Sequence, residues 1–275
     1  MVDKSGVLDD APLVFVLAAI RFLPLESLPK WIPEIQEGLR DELPVFSKMR
    51  QAQTPQGLEV SIDHPDFSPD QPGSAWLFSN PERTLTVQLS RVSLVVHSIS
   101  YDRFSNFAAS LQLALDSLVS QARRLNIEMV GIRYVDHIRP ADGRSLEDYV
   151  PKELLPYKWK SPATVIGGMS VNSYSLGDAR LQVNLRTGAG NPVIPEDLLP
   201  AYMSGKEVAQ LDTSSIQRLD GNSGTLDMDA SRQNMGGKQM DVSELVKLVD
   251  ELHVVANSFF RNVCTDVAFD DWRTR

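Results

Sequence analysis

The chain has 275 residues, of which 42% are hydrophobic and 23% charged, so it can form an apolar core without a stabilising metal. Its formal net charge of −9 argues against general binding to nucleic acids or anionic membranes, because contact with phosphates requires accumulated Lys and Arg. The single cysteine, Cys264, excludes an internal disulfide framework and, with an apolar run too short to cross a bilayer, predicts a cytoplasmic protein.

The first predicted elements are a strand and a helix. Residues 11–25 are apolar on both faces, and Pro24 stops the strand. This pattern is typical of a central strand buried on both sides. Ser27 then provides an N-cap, and apolar side chains recur at helical spacing from Leu28 to Leu43. We therefore expect the helix to bury one face.

The next segment predicts an antiparallel meander followed by a long helix. Between residues 47 and 100 the apolar period changes to two, in the stretches "GLEVSID", "SAWLFS", "TLTVQLS" and "SLVVHSIS". Residues 101–126 then carry one continuous apolar face at helical spacing.

A second series begins with a strand at residues 127–138 and a short helix from Ser145. Two strands, 163–175 and 179–187, follow as a hairpin, and a loop with a short helical piece begins at Gly188.

The last elements are a hairpin and a helix. Residues 215–221 and 224–231 are predicted to pair across a turn at Asn222. A long helix then begins after Asp241, with Glu244 three residues further on in a capping-box pattern.

This order of elements predicts an α+β fold of two similar halves. Each half, 1–125 and 126–275, has a strand, a helix, several antiparallel strands and a long helix, with the helices packed on curved sheets. An internal duplication is our hypothesis for this pattern, with the halves packed together as one unit.

The stretch "VGIRYVDHIRP" places several charged side chains close together in the strand that begins the second half. Because successive side chains of a strand point to opposite faces, Asp136 and His137 are not expected to form an acid–base pair. Arg133, His137 and Arg139 share one face, which could receive a carboxylate or phosphate or could form ion pairs with a neighbouring element.

One further pair of residues is weighed as a metal site. Asp227 and Asp229 lie on one strand face and could share a divalent cation, but no third ligand follows from their spacing. We therefore expect no metal site, no other cofactor and no catalytic residue.

Several segments resemble, in the same order, a sporadically distributed family of uncharacterised bacterial proteins of about the same length. The resemblance covers nearly the whole chain and is most specific at "APLVFVLAAIRF" and "GIRYVDHI". It implies a bacterial cytoplasmic protein. The family's first strand carries glutamates, whereas Phe15 and Ala19 stand at the matching positions here.

Two classes of function remain open from the sequence. We favour a non-enzymatic protein-interaction protein, which acts as a homodimer or is itself an accessory or antitoxin-like module for a protein partner, because no nucleophile, base and metal set converges. The alternative is a binder of a small anionic ligand, or a weakly marked enzyme. Its pocket would lie between the sheet and a long helix, with Arg21, Arg133, His137, Arg139 and Asp227 as the candidate residues.

Overall fold

The computed structural model describes residues 4, 6, 8–54, 57–159, 163–204 and 216–273. Within these residues the fold is α+β and mostly sheet, as the sequence predicts, with five α-helices and one antiparallel sheet of eleven strands. The strands are β1 (Leu13–Phe22), β2 (Val45–Thr54), β3 (Gly57–Ile62), β4 (Ser74–Ser79), β5 (Leu85–Ser90), β6 (Ser93–Ser98), β7 (Leu125–Ile138), β8 (Gly168–Leu176), β9 (Ala179–Thr187), β10 (Gly224–Arg232) and β11 (Lys238–Met240). The helices are α1 (Leu28–Leu39), α2 (Phe104–Ala122), α3 (Leu199–Ser204), α4 (Val242–Val263) and α5 (Asp266–Arg273).

The centre of the sheet is formed by β1 and β7. The strand order is β3-β2-β4-β5-β6-β1-β7-β10-β9-β8, and the short β11 pairs with the start of β7. The sequence prediction of a buried central strand at β1 is confirmed, because β6 and β7 flank it and cover its backbone. Its apolar character on both faces reflects packing on both sides of the sheet.

The two faces of the sheet are covered differently. On one face α1, α2, α4 and α5 share a single apolar core with the strands. On the other face a smaller cluster joins Phe15 and Val135 to Ile194 and Leu198, which belong to the segment that leads into α3. The chain thus places long helices on one side of β7 and a short helical segment on the other.

Three sequence predictions about elements were wrong or incomplete. The strand β2 was not predicted, because its buried positions include Ser47 and so lack a strongly apolar alternation. The short helix from Ser145 is two 3₁₀ turns, Leu146–Asp148 and Lys152–Leu154, with Pro151 between them. The sequence also gave no indication of α5, which is only eight residues long.

The predicted hairpin between residues 215–221 and β10 was also wrong. β10 lies between β7 and β9 instead. The backbone of residues 217–219 bonds to the loop before α3, where Val193 N donates to Gln217 O and Leu219 N donates to Asn191 O. Ser215 lies outside the described residues.

The predicted cap of α4 is confirmed. Asp241 accepts a hydrogen bond from the Glu244 amide at 2.8 Å, and the Glu244 carboxylate accepts from the Asp241 amide at 2.9 Å.

Removing this cap tests its contribution. The variant Asp241→Ala is expected to lower the free energy of unfolding by about 1 kcal/mol, because the Glu244 amide at the helix start loses its side-chain acceptor. Urea denaturation followed by circular dichroism measures the change. Lys247→Ala, at an exposed position of the same helix, is the control and should differ from the parent by less than about 0.5 kcal/mol. An equal effect of both variants would contradict the cap.

Candidate ligand-binding site

The side chains of β7 divide the candidate residues between the two faces of the sheet. The strand keeps a regular register with β10 from Val130 to Ile138. Ile132, Tyr134 and Ile138 belong to the core on the helix side, while Val135 belongs to the cluster on the opposite side. The alternation predicted from the sequence is therefore confirmed. No hydrogen bond joins Asp136 to His137 among the described residues, since Asp136 Oδ2 and both imidazole nitrogens of His137 have no partner there.

On the helix side, β7 forms one wall of a cavity of about 650 Å³. The other walls are the segment before β1, the first residues of α2, one side chain of β10 and the second half of α4. We call this the α2–α4 cavity. Its lining residues are Gly6, Leu8, Asp9, Asp10, Ala11, Pro12, Leu13, Tyr101, Asp102, Arg103, Phe104, Tyr134, Asp136, Met228, His253, Ala256, Asn257, Phe260 and Arg261.

A group of rings lines one side of the cavity. The hydroxyl of Tyr134 lies 2.6 Å from Nδ1 of His253. The ring of Phe104 is stacked on His253 with 4.1 Å between centroids, and Tyr101 meets Tyr134 edge-on at 6.1 Å. Stacked and edge-on arrangements are favourable for such rings, so the four side chains support one another.

Both members of the Tyr134–His253 pair are held uncharged. Burial lowers the pKa of His253, which favours the neutral imidazole. Burial also raises the pKa of Tyr134 well above its usual value, with a smaller contribution from Tyr101. The phenol can therefore donate to Nδ1 without transferring its proton at neutral pH.

The most unusual group in the cavity wall is Asp136. The residue is 3% exposed, and its Oδ2 has no hydrogen-bond partner among the described residues. Burial raises the pKa of this carboxyl to about 8, and the charge of Asp227 on the opposite face contributes further. Near neutral pH the carboxyl therefore holds a proton, and one buried oxygen of this lining residue has unused hydrogen-bonding capacity.

Of the five residues proposed from the sequence for a ligand pocket, Arg133 and Asp227 are hydrogen-bonded to each other, and the other three have no hydrogen bond with either. Arg21 is exposed and lies 3.7 Å from Glu128 as an ion pair. Arg139 is exposed, whereas His137 is buried, and burial lowers the pKa of its imidazole to about 4, with a smaller effect of Arg139. None of the five lines the α2–α4 cavity.

Arg133 lies on the face of the sheet away from α4, in contact with two carboxylates. Its Nε donates to Asp227 at 2.7 Å, and its Nη1 donates to Asp197 at 2.5 Å. Asp227 also accepts from Asn184 at 3.0 Å. Burial by itself would lower the pKa of Arg133, but the hydrogen bonds to both aspartates raise it, so the guanidinium stays charged. These residues line a second cavity of about 310 Å³.

The metal candidates are engaged in other ways. Asp227 binds Arg133 and Asn184. Burial raises the pKa of Asp229, on the same strand face, and this opposes the ionised form that a cation requires. Within the described residues, no group of three or more His, Cys, Asp or Glu side chains could hold a metal ion.

Sequence reasoning missed the residues that form the cavity. Tyr134 and Asp136 lie in the strand predicted at residues 127–138, and Phe104 lies in the helix predicted at residues 101–126, but neither segment predicts a site there. His253 has no predicted role. The only signal in the sequence is a histidine, His253, on the otherwise amphipathic helix α4. It does not identify the cavity, because the cavity forms where segments far apart in the chain pack together.

No family model and no curated protein matches the chain. No helix within the described ranges is both long and apolar enough to pass through a membrane.

Proposed function

We propose that the protein binds, in the α2–α4 cavity, a small organic molecule that carries a positively charged nitrogen. The observation that carries this proposal is Asp136, a buried residue that lines a cavity of about 650 Å³ and whose carboxyl has an oxygen without a partner among the described residues. Small-molecule sites are typically about 300–1,000 Å³ in volume, mostly pre-formed, and lined by apolar side chains with a few polar groups.

The charges around the cavity favour a cation. Four aspartates line it, against two arginines. Arg103 Nε donates to Asp102 at 3.1 Å, and Arg261 donates to Asn257 and to the backbone oxygen of Gly6. Because the aspartates outnumber the arginines, the polar groups offered to a ligand are mainly acceptors, which suits an amine or amidine.

The rings support the same choice of ligand. Tyr101, Phe104, Tyr134 and Phe260 all contribute to the lining. Aromatic faces attract cations and pack well against flat apolar groups. An aromatic amine or amidine would therefore satisfy both the ring wall and Asp136.

This proposal reverses our order of preference between the two functional classes. The interaction class was favoured because no polar groups converged in the sequence, and the cavity brings such groups together. The ligand charge is also reversed, since the expected basic residues lie outside the cavity and Asp136 lies in its wall.

We also infer that the two halves of the chain derive from one repeated unit. The strand order supports this inference, because β1 and β7 are adjacent and each is flanked by the last long strand of its own half, β6 or β10. Each of those strands is followed by a long helix, α2 or α4. Superposing β1, β5, β6 and α2 on β7, β9, β10 and α4 tests the inference, and a poor superposition would refute it.

Benzamidine, benzamide and benzoate form a matched set of probes for the cavity. We expect benzamidine to raise the melting temperature, because a ligand that binds only the native state stabilises it by mass action. Benzamide should have a smaller effect and benzoate none. Below about pH 8 the Asp136 carboxyl holds a proton, which it must release to bind a cation. The affinity for benzamidine should therefore rise by up to about tenfold per pH unit from pH 6 to 8.

Two variants make this experiment decisive. Asp136→Asn should lose the response to benzamidine, whereas Asp116→Asn, at an exposed position of α2, should keep it. A response to benzoate equal to that of benzamidine, or an unchanged response in Asp136→Asn, would refute the proposal.

A further inference from the structure

We propose that the protein forms a homodimer in which the free edge of β8 pairs with β8 of a second copy. This strand is the last in the sheet, and β9 is its only strand partner among the described residues. Its outer row of backbone N–H and C=O groups can therefore receive another strand. The proposal is independent of the α2–α4 cavity.

The β8 edge lacks the features that usually block edge pairing. Residues 163–176 contain no charged side chain and no proline. The nine residues of β8 pair with β9 in an unbroken register, without a bulge. Natural proteins usually protect long edges with charges, proline or bulges, so this edge is unusual for a surface that stays exposed. The opposite edge strand, β3, is shorter and carries Glu59.

Exposed apolar side chains are concentrated beside this edge. Of the eleven large hydrophobic residues that are exposed in the described chain, eight lie between residues 157 and 176. They include Tyr157 and Ile166, which are 83% and 88% exposed. The full set is Tyr157, Trp159, Val165, Ile166, Met169, Val171, Tyr174 and Leu176.

The exposed area is sufficient for an interface. Together these side chains expose on the order of 1,000 Å², judging from the surface that large side chains carry, against about 800 Å² per partner in a standard protein interface. A single sequence segment therefore offers the apolar surface that a stable dimer needs.

A second copy is the partner that this surface fits. Two nine-residue strands paired antiparallel about Asn172 place Val171 of one copy opposite Ser173 of the other, and Ser170 opposite Tyr174, so the surface is complementary to itself. Each copy carries a net charge of −9, but β8 itself carries no charged side chain, which keeps like charges away from the paired strands. Without charged side chains, β8 also has no electrostatic feature that would favour a charged protein of another kind as its partner.

Light scattering coupled to size exclusion tests the dimer over a series of protein concentrations. We expect the parent to have twice the mass of the chain. Val171→Lys should halve that mass, because it places a charge at the centre of the new contact. Val254→Lys, at a 57% exposed valine of α4, is the matched control and should remain dimeric.

A second variant addresses the backbone pairing itself. Ser173→Pro removes an amide from the strand and should also halve the mass, provided that circular dichroism shows native folding. A parent that stays monomeric throughout the series, or a folded Val171→Lys variant that stays dimeric, would refute the proposal.

Discussion

Asp136→Asn is expected to make the protein more stable at pH 8 and to leave its stability nearly unchanged at pH 4. Burial raises the pKa of this carboxyl to about 8 in the native state, so native protein keeps a proton that unfolded protein has released. The parent should therefore lose about 1.4 kcal/mol of unfolding free energy for each pH unit between these limits, up to roughly 5 kcal/mol in total. Asparagine cannot ionise, so the variant should not show this loss.

Urea denaturation of the parent and the variant at pH 4, 6 and 8 measures this difference. The buried histidines act in the opposite direction, since burial lowers the pKa of His97 to about 4 and their stabilisation is lost as the pH falls. Their effect is common to both proteins and cancels in the comparison. Asp116→Asn should follow the parent at every pH, and parallel curves for Asp136→Asn and the parent would contradict the prediction.

Arg133→Met should be the most destabilising of the substitutions considered on the opposite face. Asp227 is 4% exposed and would lose both hydrogen bonds from the guanidinium. Removing one partner of a buried ion pair typically costs about 3–5 kcal/mol, because the other charge stays buried without compensation. Asp197→Asn should cost less than about 1 kcal/mol, since the Asp197 side chain is 65% exposed.

A double variant separates the effect of the buried Asp227 charge on stability from the effect of lost packing at Arg133. If the buried charge causes the loss, then Arg133→Met with Asp227→Asn should regain a large part of the stability that Arg133→Met loses. Arg21→Met, which removes an exposed ion pair on the same sheet face, should cost less than about 1 kcal/mol. Equal losses for Arg21→Met and Arg133→Met in urea denaturation would refute the assignment.

The elements that could be predicted from sequence are those whose own pattern is strong. β1 is apolar on both faces, and α4 combines an amphipathic face with the Asp241 cap, so each is recognisable without its neighbours. β2 is weakly patterned, and the turn near Asn222 indicated a local hairpin. The turn near Asn222 is present, since Asp220 N donates to Ser223 Oγ. The strand after the turn, β10, pairs with β7 and β9, however, and no local signal in the sequence specifies these partners.

The candidate site could be predicted from the sequence only in part, because it too depends on contacts between distant segments. The period of two in β7 correctly separated Asp136 from His137. The cavity, however, also needs the segment before β1, the start of α2 and the second half of α4. These segments are more than a hundred residues apart in places, and only the packed sheet brings them together.

The position of β1 in the sheet has a consequence for how the chain folds. Both neighbours of β1, which are β6 and β7, follow it in the chain only after four intervening strands or more. Long separations between paired segments slow folding, and an unpaired apolar strand is prone to aggregate until its partners arrive. During synthesis, β1 therefore emerges well before either neighbour exists, and a chaperone that shields extended apolar segments would act on it first.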